Sequence, residues 1–113
     1  MLPALNRLRS SKDFAIVTKT GYRATTPSLV IYLKKIDALQ SGPQIGLIVS
    51  KVVGGSVARH RIARQVRHAV RERFTIIPID SQVVIRVTHK SSDYSEEIHQ
   101  GISKVLSKIG AKS

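Results

Sequence analysis

The chain has 113 residues, a length that predicts one domain over 1–113 with a modest core and no need of staples. Hydrophobic residues make up 42%, no tract is of low complexity, and 19 Lys+Arg stand against 7 Asp+Glu, for a formal charge of +12. A disordered tail is thereby excluded, a folded partner of polyanions is implied, and the absence of cysteine excludes disulfides, thiolate metal sites and a cysteine nucleophile. The opening "MLPALNRLRS" lacks the apolar run of a signal peptide, and no later segment is long and apolar enough for a bilayer. A cytoplasmic protein with no membrane contact is expected.

In chain order, "SSKDFAIVTKTG" predicts a first helix over 11–20, with Ser10 and Ser11 as candidate N-caps and Gly21 as its stop. Residues 22–25 add a short edge strand. "LVIYLKK" within 28–35 and "QIGLIVSKV" over 44–52 read as strands with Ser41, Gly42 and Pro43 turning between them, and the short connection predicts that they pair antiparallel. "VVGGS" then places two glycines before Ser56, a candidate cap for a helix over 56–74. Pro78 stops any continuation. "SQVVIRVTHK" supplies a central β-branched strand, and Asp93 caps a last helix in which Ile98, Ile102, Val105, Leu106 and Ile109 recur at helical spacing. The order predicts an α+β sandwich with helices packed on a mixed four-stranded sheet.

The segment "SVARHRIARQVRHAVRERF" carries the most information. At about 100° per residue, Ile62, Ala63, Val66, Ala69, Val70 and Phe74 share one side. His60, Arg61, Arg64, Arg67, His68 and Arg71 crowd an arc of about 120° opposite, while Arg59 and Arg73 fall on the apolar side. A solvated helix gains from alternating charge signs at i,i+4, whereas this face repels itself and calls for anions from a partner.

Strand parity separates Leu29, Ile31 and Leu33 from Val30, Tyr32 and Lys34, and Val83, Ile85 and Val87 from Val84, Arg86 and Thr88. The face with Tyr32 and Arg86 offers an aromatic, small residues and a cation, a lining suited to single-stranded nucleic acid. The competing reading is that Tyr32 half-buries beneath a helix. The four histidines lack metal-ligand spacing, the carboxylates are scattered, and "KVVGGS" has neither P-loop nor dinucleotide spacing. No catalytic residue and no cofactor or metal held by the protein itself is expected.

"SKVVGGSVARHRIARQVRHAVRE" resembles the signature of the bacterial ribonuclease P protein family, S-K-K-x-G-x-A-V-x-R-N-R-x-K-R-x-x-R. Ser50, Lys51, Gly54, Val57, Arg59, Arg61, Arg64 and Arg67 match, and the likeness extends to "NRLRSSKDF", "LVIYL" and "VVIRV". The resemblance implies a ribonucleoprotein endonuclease that removes the 5′ leader of precursor tRNA, with hydrolysis by an RNA subunit that holds magnesium. It further implies a left-handed crossover around the basic helix. The partners so implied are ribonuclease P RNA and precursor tRNA, with no obligatory protein partner.

Carried over residue by residue, Lys51, Arg59, His60, Arg61, Arg64, Arg67, His68 and Arg71 would bind the RNA subunit. Phe14, Thr18, Tyr32 and Arg86 would meet the leader, and Arg7, Arg9 and Lys12 would add RNA contacts. The chain departs from the family pattern at Val52 and Ala63, usually lysine, at His60, usually asparagine, at Ser56, usually alanine, and at Thr18, where a second aromatic is common. Two other classes share parts of this reading. A basic ribosomal protein would have the same composition, and a self-sufficient nuclease would need a metal site of its own.

Overall fold

The structure, a computed structural model, describes residues 7, 8, 10–36 and 43–112. Helix α1 (Ser11–Thr20) starts at Ser10, whose hydroxyl accepts from the Asp13 amide at 3.4 Å, and stops at Gly21, whose amide donates to the Val17 carbonyl. Strands β1 (Tyr22–Thr25), β2 (Leu29–Lys35) and β3 (Gln44–Val49) follow, then helix α2 (Ser56–Glu72), strand β4 (Ser81–Val87) and helix α3 (Tyr94–Lys112). Single 3-10 turns at Lys51–Val53 and Phe74–Ile76 flank α2.

The sheet order is β1-β2-β4-β3, with β2 antiparallel to β4 and β3 parallel to it. The expected antiparallel pairing of β2 with β3 is therefore incorrect: β4 inserts between them, with Ile31 opposite Ile85 on one side and Leu47 opposite Ile85 on the other. The physical reason lies in "VVIRV": Val83, Val84, Ile85 and Val87 are all buried, so this strand needs cover on both faces and neighbours on both edges. Parallel neighbours require a crossover, and α2 is the crossover between β3 and β4. Residues 41 and 42 of the expected turn lie outside the described residues; Pro43 is buried.

Two smaller corrections concern the approach to α2. The third strand ends at Val49, and Lys51–Val53 form the 3-10 turn, with the Ser50 hydroxyl accepting from the Val52 amide at 3.3 Å. The N-cap of α2 is Gly55 rather than Ser56, with no side-chain cap bond, because Gly54 at φ 143° starts the helix one residue earlier than a serine cap would.

The two sheet faces are covered by different helices. Leu29, Ile31, Leu33, Ile45, Val83, Ile85 and Val87 meet Ile62, Val66 and Val70 of α2 and Ile98, Ile102 and Val105 of α3 in the main core. On the other face Tyr32 and Val84 pack with Val17 of α1 and Leu8, joined by Phe14, Val30 and Ile48. Both faces alternate as strand parity predicts. The β1 edge is closed by α3, whose Lys104 donates to the Thr25 carbonyl at 3.5 Å and whose Lys108 donates to that of Arg23. At the β3 edge the Leu8 amide donates to the Ile45 carbonyl at 2.9 Å. Among the described residues no helix is long and apolar enough to cross a membrane.

Candidate nucleic-acid interface

Helix α2 buries Ile62, Ala63, Val66, Ala69 and Val70, the stripe drawn from the sequence, and this fixes which side faces outward. His60, Arg61, Arg64, Arg67, His68 and Arg71 are all exposed along that side. Glu72 is the helix's only acid, and it meets His68 at 3.2 Å and Arg73 at 3.6 Å near the C-terminal end. His60, Arg64, Arg67 and His68 alone line a shallow depression midway along the helix. The guanidinium groups of Arg61, Arg64, Arg67 and Arg71 along this side concentrate positive potential, with Glu72 the one carboxylate of the helix to offset them.

A groove of about 260 Å³ separates α2 from the edge strand β3. Leu47, Val49 and Ala63 floor it, and Arg59, His60 and Arg67 rim it. Arg59 is half-buried as its wheel position predicts, and its Nε is buried with no hydrogen-bond partner. A buried donor left unmade costs about 1–3 kcal/mol, so an anion reaching this groove meets a donor already stripped of water. Lys51 is exposed on the 3-10 turn that leads into α2.

The residues that the resemblance assigns to the leader lie on the opposite sheet face, against which α1 packs. Phe14 is half-buried with its ring over Gly46, and Arg86 is exposed on β4, flanked across the strands by Val30 and Ile48. Thr18 is half-buried and its hydroxyl donates to the Ala15 carbonyl at 3.1 Å, back along its own helix. Tyr32 shares this face but is only 8% exposed, enclosed by Leu8, Val17 and Val84. Its ring is packed against α1 and its neighbours, with little surface left open. Lys12 is exposed on α1; Arg7 is half-buried with an unpartnered Nε; Arg9 lies outside the described residues.

One anchoring network was missed by sequence reasoning. The Glu97 carboxylate accepts from the Thr26 hydroxyl and the Ser28 amide, each at 2.7 Å, and from the Ser91 hydroxyl. Burial pushes this carboxyl's pKa up, but the hydrogen bonds from Ser91, Thr26 and Ser28 outweigh it and hold it below the ordinary value. The network ties the 88–93 loop to the β1–β2 turn. Glu97 stands in the first turn of α3, where an acid is expected on local grounds alone, and nothing local marks its distant partners.

Residues 2–110 match the family model described as Ribonuclease P. The chain belongs to the ribonuclease P protein family. A ribonuclease P protein component of Mycolicibacterium gilvum is 38% identical over 111 residues, covering 93% of this chain and 90% of that protein. One of Acidothermus cellulolyticus is 43% identical over 86 residues, covering 76% and 72% respectively. The fold is similar to that of the Staphylococcus aureus RNase P protein, at TM-score 0.69 and 19% identity over 92% of this chain and 94% of that one. It is also similar to the RNase P protein of Thermotoga maritima, at TM-score 0.63 and 24% identity over 91% and 90%. As a member of this family, the chain is an RNA-binding subunit of a ribonuclease holoenzyme of tRNA processing. The ribosomal alternative gains no support from these relatives.

Proposed function

We propose that the protein holds ribonuclease P RNA on the α2 face and the 5′ leader of precursor tRNA on the opposite sheet face, beside α1, promoting 5′ maturation in the cytoplasm. The observation that carries this reading is the exposed run of His60, Arg61, Arg64 and Arg67, which meets no carboxylate of α2 before Glu72, beside the unpartnered Nε of Arg59. Such an array binds phosphates by releasing condensed counterions, and the Val and Ile stripe beneath it fastens the cations to the sheet. Lys51 and Arg71 extend the same surface, and Arg7 and Lys12 add cations near α1.

Chemistry in this reading belongs to the RNA subunit, which supplies phosphodiester hydrolysis with its own magnesium. Three of the described carboxylates have structural partners. Asp93 accepts from the Glu96 amide at 3.1 Å, Asp80 pairs with Lys35 at 3.5 Å, and Glu97 anchors a loop. On the α1 side, the half-buried Phe14 and the exposed Arg86 are the side chains offered to the leader, with Tyr32 packed behind them and Thr18 standing where a second ring is common. A base stacked on an aromatic is worth roughly 1–3 kcal/mol and tolerates any sequence, which suits a site that accepts many leaders.

Reconstitution with ribonuclease P RNA tests the reading. Leader removal should require the RNA, and the protein should lower the RNA concentration needed. Cleavage by RNA-free protein, abolished by substituting one of its acids, overturns it.

A further inference from the structure

A second groove, of about 200 Å³, runs along the opposite flank of α2, between that helix and the 88–93 loop. Ala58, Ile62 and Tyr94 form its floor, and Arg61 and Lys90 stand on its two sides. Both cations are exposed and neither forms an ion pair among the described residues. The loop that carries Lys90 is fixed at consecutive residues. The amides of Thr88 and His89 donate to the Ser28 carbonyl at 2.9 and 3.3 Å, and the Lys90 carbonyl accepts from the Ser28 hydroxyl at 3.2 Å. The Tyr94 hydroxyl donates to the His89 carbonyl at 3.3 Å. A surface lysine on a free loop loses side-chain and backbone entropy on binding, and here the backbone part has already been lost in folding.

We propose that this groove is a second phosphate track, in which Arg61 and Lys90 grip the backbone of the same RNA that occupies the α2 face. The proposal rests on the function given above and extends its footprint to a residue that the family signature does not contain. Continuity favours RNA over an acidic protein. Arg61 stands about 60° around the helix from Arg64, so a strand on the first face reaches the groove without crossing a carboxylate. The track also has an end: farther along the same flank the lining turns acidic, with Glu72 and Asp93 beside Gln65 and Tyr94. RNA is therefore gripped around the N-terminal half of α2 and released from this flank toward its C-terminal half.

The test is ribonuclease P RNA affinity across salt for Lys90→Ala, Lys90→Glu, Arg67→Ala and a distant control, Lys35→Ala. Lys90→Ala should weaken binding about eightfold at 0.1 M salt, the factor that a slope change of about 0.9 gives relative to 1 M, and should flatten the log affinity against log salt slope by that amount. Lys90→Glu should weaken it further, and Lys35→Ala should match the parent. Thermal unfolding should be unchanged in Lys90→Ala, whose ammonium holds nothing in the fold. Since the chain contains no cysteine, Lys90→Cys carrying a photo-crosslinker should label ribonuclease P RNA in the complex. Loss of affinity in Arg67→Ala with none in either Lys90 variant overturns the groove and leaves the α2 reading intact. No loss in any of the three overturns both. Weaker binding with an unchanged slope, or a crosslink to protein instead of RNA, also overturns the proposal.

Discussion

The Phe14 ring sits so close over Gly46 that a β-carbon at position 46 would come within 2.4 Å of its Cζ. Glycine in mid-strand is unfavourable on propensity alone, so this one marks a close approach. Gly46→Ala should push the ring off the sheet and destabilise the fold by about 1–3 kcal/mol. It should also weaken holoenzyme binding to leader-bearing substrate more than to mature tRNA, a difference that paired affinity measurements resolve. Equal losses for both substrates would remove Phe14 from the proposed leader contacts.

Tyr32 provides the contrast, since its ring is enclosed by Leu8, Val17 and Val84. Tyr32→Ala should cost roughly 3–5 kcal/mol of stability and lower binding of leader-bearing and leaderless substrates alike. Tyr32→Phe should cost little. Thermal unfolding beside the two affinities distinguishes this outcome from a stacking role.

On the α2 face, Arg64→Ala and Arg67→Ala should each weaken binding to ribonuclease P RNA and flatten its salt slope by about one unit. Fold stability should hardly move, because both side chains are exposed. Titrations at four or five salt concentrations give the slope, and an unchanged value in both variants takes these arginines out of the interface.

Ala63 is 8% exposed on the floor of the groove between α2 and β3, not on the outer arc. Ala63→Lys should lay its aliphatic stem over Leu47 and Val49 and bring the ammonium out between His60 and Arg67. RNA affinity should rise and the salt slope steepen by about one unit. Ala63→Met, which fills the same space without charge, should leave the slope alone. If the two behave identically, the ammonium does not reach RNA.

Glu97 ties stability to acid. Its carboxyl titrates below the ordinary value when folded, so the stabilisation is complete at pH above the unfolded value of about 4.3 and is lost as pH falls through the folded one. Glu97→Gln should lower stability at neutral pH by roughly 2 kcal/mol, since hydrogen bonds to a charged acceptor are removed. It should also reduce the loss between pH 5 and 3, measured by denaturant unfolding at each pH.

Local signals in the sequence were sufficient for most of the fold. Ser10 and Gly21 bracket α1, the stripe from Ile62 to Val70 faces the core, and period-two alternation separates Ile31 and Ile85 from Tyr32 and Val84. Pairing was not local. Chain proximity favoured β2 with β3, and only the unbroken apolar run of β4 signals a strand with partners on both sides. The α2 cations were legible because a helix wheel needs one segment alone. Burial of Tyr32 depends on Leu8 and Val17 from elsewhere, and the anchoring of the Lys90 loop depends on Ser28, 62 residues away from Lys90 in the chain. Neither has a signature at its own position.

The sheet separates α1 from α2, and this makes it a spacer. A flexible linker between two RNA-binding elements would let their separation fluctuate, whereas four hydrogen-bonded strands with side chains packed on both faces fix it. If the leader and the RNA subunit bind as proposed above, the distance between them is a property of the protein's thickness, within a molecule whose shortest dimension is 25 Å. Substitutions that leave every cation in place but thicken or thin a core layer would change where the leader is presented. In that arrangement the main core, buried beneath α2 and α3, would act as the gauge of the complex.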